Sequence, residues 1–170
     1  MLNSNDVAYY LIALNHAEVA LGYDNYVIDE AQLQQLMYYG QGLSLHYFNR
    51  VLFEDPFYLY KTGPTLKAIA SNFKGFNVKD FRKNMTDAQR QALLHGHLQV
   101  DAHENIKACL DNAYTKRTKL RPLYTAWLKN QDQHGKIISN EQIKEAFDNY
   151  LTNNQNVMNS KTDETNHLFL

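Results

Sequence analysis

The sequence predicts a mainly α fold, a compact single-domain helical bundle with one short β-hairpin or extended arm. Capping-box patterns stand ahead of apolar residues at helical spacing in three places, at residues 29–32, 86–89 and 139–142. By contrast, residues 51–60 are dense in Phe, Tyr, Val and Leu and are interrupted by Asp55-Pro56, which is typical of a hairpin. A length of 170 residues is enough for one domain with its own core.

The first two helices are predicted from their caps and apolar spacing. Ser4 or Asp6 suits the cap of a helix that fades near Gly22. Asp29, with Gln32 three residues later, starts a second helix that runs to about residue 48. This helix is the clearest amphipathic element of the chain, because its apolar stripe comprises Leu33, Leu36, Met37, Gly40, Leu43 and Tyr47.

The middle of the chain is punctuated by Gly63-Pro64. Because proline suits the first turn of a helix, we expect Pro64 to open a short helix over residues 66–73. Residues 74–84 are interpreted as a loop that can include a turn of helix around Phe81. Thr86 then caps a helix that is predicted to be long, with a stripe made of Leu94, Leu98, Ala102, Ile106 and Leu110.

The C-terminal part contains two further helices and a tail. A short helix over residues 123–128 is followed by a polar loop over residues 130–136. Ser139 caps the last helix, whose inward-facing residues are Ile143, Ala146, Phe147 and Tyr150. Residues 1–151 are therefore predicted as one helical domain. Residues 152–170 are predicted as a polar, asparagine-rich and flexible tail.

Composition gives expectations about location and partners. The chain has a single cysteine, Cys109, and no basic region followed by an apolar stretch at its N-terminus, so we expect a cytoplasmic protein. No run of residues approaches the roughly 20 apolar residues of a membrane span. A formal net charge of -1 also argues against nucleic acid as a partner held by bulk electrostatics.

The sequence contains no recognisable catalytic motif. A Walker A loop, G-x-G-x-x-G and H-E-x-x-H are all missing, so we predict neither an enzyme nor a cofactor. Helical spacing puts His97, Asp101 and Glu104 on one face, which leaves a metal site as an alternative to a solvated polar face. We favour the solvated face and predict no metal. Cys109 is expected to pack rather than to act as a nucleophile.

Residues 116–121 contain a run of basic side chains. Its members are Lys116, Arg117, Lys119 and Arg121. The run can contact phosphates or an acidic protein, or it can simply be a charged helix end.

The most specific segment covers residues 33–42, which read Leu-Gln-Gln-Leu-Met-Tyr-Tyr-Gly-Gln-Gly. Gly40 and Gly42 each cost a helix roughly 1 kcal/mol relative to alanine, which indicates that another element packs very close to them. Tyr38 and Tyr39 point about 100° apart, and the Gly-Pro turn can present backbone donors. One interpretation is a pocket lined by tyrosines with a lysine at its edge. The other is that these residues only join the hairpin to the helix.

The pattern resembles a known family. The segment "LQ-x-L-x-YY-x-QG", followed by an aromatic residue and Lys-x-Gly-Pro at Tyr60-Lys61-Thr62-Gly63-Pro64, is similar to the Panacea domain of SocA-like antitoxins, also described as phage-associated proteins. The resemblance covers about residues 6–151. Gln35 and Tyr60 stand where the family usually has lysine and tryptophan.

The resemblance implies an antitoxin that binds and neutralises a toxin encoded beside it, with a protease as a second partner if the protein delivers the toxin for degradation. The polar tail is then a candidate contact segment for the toxin or the protease. The partner-binding patch implied by the family pattern consists of Tyr38, Tyr39, Gln41, Tyr60, Lys61, Gly63 and Pro64. The alternative is a phage or mobile-element regulatory protein that binds a host protein or nucleic acid.

Overall fold

A computed structural model describes residues 1–159, apart from the side chain of Gln131. That part of the chain forms eight α-helices and one three-stranded antiparallel sheet, which confirms the predicted mainly α fold with a short hairpin. The elements in chain order are α1 Ser4–Ala20, α2 Glu30–Phe48, β1 Phe57–Tyr60, β2 Gly63–Leu66, α3 Lys67–Asn72, α4 Val78–Lys83, α5 Asp87–Asp101, α6 Glu104–Thr115, α7 Arg117–Thr125, β3 Ile137–Ile138 and α8 Asn140–Asn153. Short 3₁₀ turns at Ala126–Lys129 and Gln131–Gln133 lie between α7 and β3.

Local capping determines where several helices begin. All three predicted capping boxes are confirmed, at the starts of α2, α5 and α8. The prediction that Ser4 or Asp6 caps α1 was wrong. Asn3 is the N-cap, and its side chain accepts a hydrogen bond from the backbone amide of Asn5. Ser4 instead donates its hydroxyl to the Asp55 carboxylate and so attaches α1 to the segment before the hairpin.

Helix α2 lies at the centre of the molecule. It packs against α1, α6, α7 and α8, and nearly every residue in its second half before His46 is buried. Two glycines permit this crowding. A Cβ atom on Gly42 would overlap the ring of Phe147 in α8, and one on Gly40 would lie 2.7 Å from a methyl carbon of Leu110 in α6. The close approach that the sequence indicated at these positions is therefore made by α8 and α6.

The hairpin lies further along the chain than the sequence indicated. Strand β1 follows Asp55-Pro56, and it pairs with β2 so that Tyr60 faces Gly63 across the turn. Gly63 has a φ of 109°, which favours glycine, and Pro64 lies inside β2 rather than in a helix. Proline is accommodated there because β2 is an edge strand of the sheet, whose order is β2-β1-β3.

The predicted long helix after Thr86 is two helices, with a break at Ala102 and His103. Its expected stripe was partly wrong, since Leu94 and Leu98 are 55% and 56% exposed. The buried face of α5 carries Gly96, where a Cβ atom would lie 2.6 Å from the Asp6 carbonyl oxygen of α1. Helix α5 therefore turns its glycine-containing side to α1, because only that side permits the close approach.

Two other segments also contain more helix than predicted. The expected loop over residues 74–84 includes α4, which Asn77 caps through its side chain. The short helix expected over residues 123–128 begins earlier, since α7 starts at Arg117 directly after α6.

The end of the chain is described as far as Asn159. Helix α8 runs to Asn153, and Val157 and Met158 then pack against the core as half-buried residues. Of the predicted tail, 152–170, the structure thus describes residues 152–159. Residues 160–170 lie outside the described residues.

Gly42→Ala tests the close packing of α2 and α8. We expect a net loss of about 2 kcal/mol in the free energy of unfolding, measured by urea denaturation, because overlap with the Phe147 ring outweighs the helix propensity gained. Phe147→Leu, made alone and together with Gly42→Ala, is the control. The destabilisation caused by Gly42→Ala should shrink when Phe147→Leu is already present, and an unchanged value would show that the ring is not its cause.

Candidate functional site

Two buried glutamines of α2 hold the end of β2 and the segment that leads into β1. Gln34 accepts a hydrogen bond from the Leu66 amide at 2.9 Å and donates to the Leu66 carbonyl at 3.0 Å. Gln41, two helical turns later, accepts from the Leu52 amide at 2.7 Å and donates to the Phe53 carbonyl at 3.4 Å. A carboxamide offers one donor side and one acceptor side, as a peptide group does, so each glutamine replaces a missing strand partner.

Asn15 of α1 repeats this arrangement on the loop before α2. Its side chain donates to the Tyr26 carbonyl at 2.8 Å and accepts from the Ile28 amide at 2.9 Å. It also lies 3.0 Å from the hydroxyl of Tyr114, which donates to the buried carboxylate of Glu18. Buried amides thus attach two irregular segments to the helical core.

Tyr38 is the centre of an aromatic cluster behind the hairpin. Its ring packs edge-on against Phe57 and Tyr124, and its hydroxyl accepts a hydrogen bond from the indole nitrogen of Trp127 at 2.6 Å. Burial raises the pKa of Tyr38, so the hydroxyl stays protonated at neutral pH. Tyr124 in turn donates its hydroxyl to the Pro64 carbonyl at 2.8 Å. The cluster therefore joins α2, α7 and the hairpin.

The structure places the seven residues of the predicted patch on α2 and the hairpin and buries most of them. The buried members are Tyr38, Tyr39, Gln41, Gly63 and Pro64. The contacts of Tyr38, Gln41, Gly63 and Pro64 are those of the second interpretation, in which the patch joins hairpin to helix. Tyr60 is half-buried and Lys61 is exposed, so direct contact with a partner falls to these two. Their partner-binding role stays a prediction.

Tyr60 also belongs to a second group of residues, which lies on the solvent side of the sheet. We call Tyr58, Tyr60, Thr65 and Ile137 the outer sheet face. Tyr58 lies opposite both Thr65 and Ile137 in the strand register, and the rings of Tyr58 and Tyr60 stack with centroids 6.3 Å apart. Ile137 is 52% exposed. This is an apolar and aromatic surface that the fold leaves accessible.

Cationic side chains border the outer sheet face. The Lys67 ammonium lies 3.9 Å from the centre of the Tyr58 ring, a cation–π contact, and Lys61 occupies the hairpin turn. The ring of His134 packs edge-on against Tyr60 with centroids 5.9 Å apart. These contacts fix both tyrosines in place.

Several of these residues were not predicted from the sequence. Strict alternation in Phe57–Tyr60 signals that Tyr58 and Tyr60 share the face opposite Phe57, but Ile137 joins them only through the pairing of β3 with β1. Gln34 carries no sequence signal, since a glutamine beside an apolar stripe usually faces solvent.

The other candidate residues do not assemble into a reactive site. His97 pairs with Asp101 at 3.1 Å, whereas Glu104 begins the next helix, and no group of three or more metal-ligating residues occurs within residues 1–159. Cys109 is buried, and burial raises its pKa to about 11, which leaves little thiolate at neutral pH. Arg117 is also buried, so the basic run does not form a continuous cationic surface.

Comparison with known proteins does not identify the chain. No family model, curated protein or solved structure matches it. Among the described helices, none combines the length and apolar character needed to cross a membrane.

Gln34→Leu and Gln41→Leu test the attachment of the hairpin. Each substitution leaves buried backbone groups without partners, so each should lower the free energy of unfolding by about 1–3 kcal/mol in urea denaturation. Gln35→Leu is the matched control, because Gln35 is the half-buried neighbour on the same helix. Its effect should stay within about 0.5 kcal/mol. Equal losses in all three variants would contradict the assigned role of Gln34 and Gln41.

Proposed function

We propose that this chain is an antitoxin-like protein, which binds and neutralises a toxin encoded beside it through direct protein–protein contact. The proposal has two lines of support. The first is the resemblance of residues 33–42 and 60–64 to the Panacea pattern. The second, which carries the proposal, is the outer sheet face, a partly exposed aromatic surface that includes Tyr60 of that pattern and borders Lys61.

The outer sheet face has the properties of a protein-binding surface. Tyrosine is enriched at the centres of interfaces, where it supplies a large contact area with one polar atom. Tyr58 is already held by Tyr60 and Lys67, so little side-chain entropy remains to be lost on binding. Strand β1 is paired on both sides, which keeps the face rigid.

Charge complements this surface. Lys61 in the hairpin turn, Lys67 over the Tyr58 ring and Lys136 directly before Ile137 are all exposed. A partner whose contact surface has an apolar centre and an acidic border would complement the tyrosines with its centre and the lysines with its border. We therefore propose a toxin with such a surface, held stoichiometrically and without turnover. We also propose that the protein is cytoplasmic. It neutralises the toxin either by masking it or by delivering it to a protease.

Co-expression tests the proposal most directly. The open reading frame beside the gene is induced alone and together with this chain, and growth is followed. We expect the neighbour alone to stop growth and this chain to restore it. A harmless neighbour would overturn the antitoxin proposal and favour a regulatory protein that binds a host protein or nucleic acid. In a rescued strain, toxin that disappears in a protease-dependent way indicates delivery, and stable toxin co-purifying with this chain indicates masking.

Tyr60→Ala and Lys61→Ala test the surface itself. Both should weaken toxin binding, about tenfold or more for Tyr60, because they remove an aromatic anchor and a charge beside it. Binding is measured by calorimetry with the purified toxin, and thermal unfolding of each variant is recorded in parallel.

Tyr47→Ala and Lys83→Ala are the matched controls, since both residues are exposed and lie on other elements. The controls should bind as the unaltered chain does. If the Tyr60 and Lys61 variants lose stability and binding in equal measure, their contribution is structural and the outer sheet face is not the contact surface.

A further inference from the structure

A polar cavity lies between the loop before α2, helix α2 and helix α7, on a different side of α2 from Gln34 and Gln41. We call it the α2–α7 pocket, and its volume is about 390 Å³. This volume is within the range of small-ligand sites. Its wall includes Tyr26, Gln35, Tyr39, Arg117, Thr118 and Arg121.

Two arginines give the α2–α7 pocket its charge. Arg117 is held in place by stacking over Tyr26, with the guanidinium carbon 3.8 Å from the ring centre, and by donating to the Tyr114 carbonyl at 2.8 Å. Arg121 lies one helical turn further along α7 and is exposed. None of the described residues that line the pocket is acidic. The pocket therefore combines one buried and one exposed guanidinium without a carboxylate in its wall.

The Tyr39 hydroxyl is the second observation that indicates a ligand. Tyr39 lines the pocket and is only 1% exposed, yet its hydroxyl has no hydrogen-bond partner among the described residues. Burial raises the pKa of Tyr39, so the group is a protonated donor at neutral pH. Buried polar groups in proteins are nearly always paired, and an unpaired one needs an explanation. An acceptor atom of a bound molecule would supply it.

The amide and hydroxyl groups of the wall suit the same kind of ligand. Gln35 is half-buried, and Thr118 is exposed in the first turn of α7. Backbone amides at the start of a helix give that end a partial positive charge, which adds to that of the arginines. The polar groups around the pocket thus favour an oxygen-rich anion over a neutral or cationic molecule.

We propose that the α2–α7 pocket binds a small oxyanion, whose oxygens pair with Arg117 and Arg121 and accept a hydrogen bond from the Tyr39 hydroxyl. This site is separate from the outer sheet face and does not depend on the proposed function. Phosphate and carboxylate groups share the required chemistry, since guanidinium pairs with both through parallel N–H donors. Two members of the basic run, Arg117 and Arg121, then serve this pocket and not the phosphates of a nucleic acid.

The test uses the full chain with inorganic phosphate and with succinate as probes, titrated at constant ionic strength against chloride. Binding is followed by two-dimensional NMR or calorimetry, and unfolding midpoints are recorded without ligand. We expect saturable binding of at least one probe. The probe that binds more tightly identifies the source as a phosphate or a carboxylate compound.

Tyr39→Phe and Arg121→Gln should each weaken that binding by about tenfold. Tyr39→Phe should meanwhile leave the unfolding midpoint unchanged or higher, because it removes an unpaired buried hydroxyl. Arg117 is unsuitable for such a test, since it is buried and its loss would disturb the fold. Tyr47→Phe and Arg90→Gln are the matched controls at exposed positions and should bind as the unaltered chain does.

Three results would overturn the proposal. One is the lack of saturable binding of either probe above the chloride control. Another is unchanged affinity in both Tyr39→Phe and Arg121→Gln. A lowered midpoint with unchanged binding in Tyr39→Phe would also oppose it, because the hydroxyl would then be structural.

Discussion

Pairing between buried side-chain amides and the backbone is the interaction on which the rest of the structure depends. The segments that lead into and out of the hairpin have no neighbouring strand at those points, and the buried peptide groups there need partners. Gln34 and Gln41 supply them from α2, and Asn15 does the same for the loop before that helix. Each amide both donates and accepts, so it holds two peptide groups of the segment at once. The sheet is thereby attached to the helical core.

The position of α2 is determined by a second constraint, the lack of side chains at Gly40 and Gly42. Phe147 and Leu110 occupy the space that side chains there would fill, which lets α8 and α6 approach the backbone of α2. A central helix with close neighbours on several sides holds both glutamines rigidly. That rigidity extends through the hairpin to Tyr58 and Tyr60. The outer sheet face is ordered because the core behind it is densely packed.

The outer sheet face and the α2–α7 pocket both depend on α2, which holds the sheet in one case and forms part of the wall in the other. The residues that define the resemblance divide between them and the core: Tyr38 and Gln41 hold the hairpin, Tyr60 and Lys61 reach solvent beside the outer sheet face, and Tyr39 turns toward α7. A short motif can therefore specify a scaffold, a contact surface and a pocket wall at once. Adjacent helical residues point about 100° apart, and this is why Tyr38 and Tyr39 have different surroundings.

The sequence by itself determined the mainly α class, the three capping boxes and the existence of a hairpin, because these depend on contacts within a few residues. It also indicated the close packing at Gly40 and Gly42. Only the tertiary structure decided which face of α5 is buried, since Leu94 and Leu98 repeat at helical spacing but Gly96 permits the approach of α1. It likewise placed Ile137 beside Tyr58 and buried Gln34. These outcomes depend on residues far apart in the chain, and helical or strand periodicity carries no information about such partners.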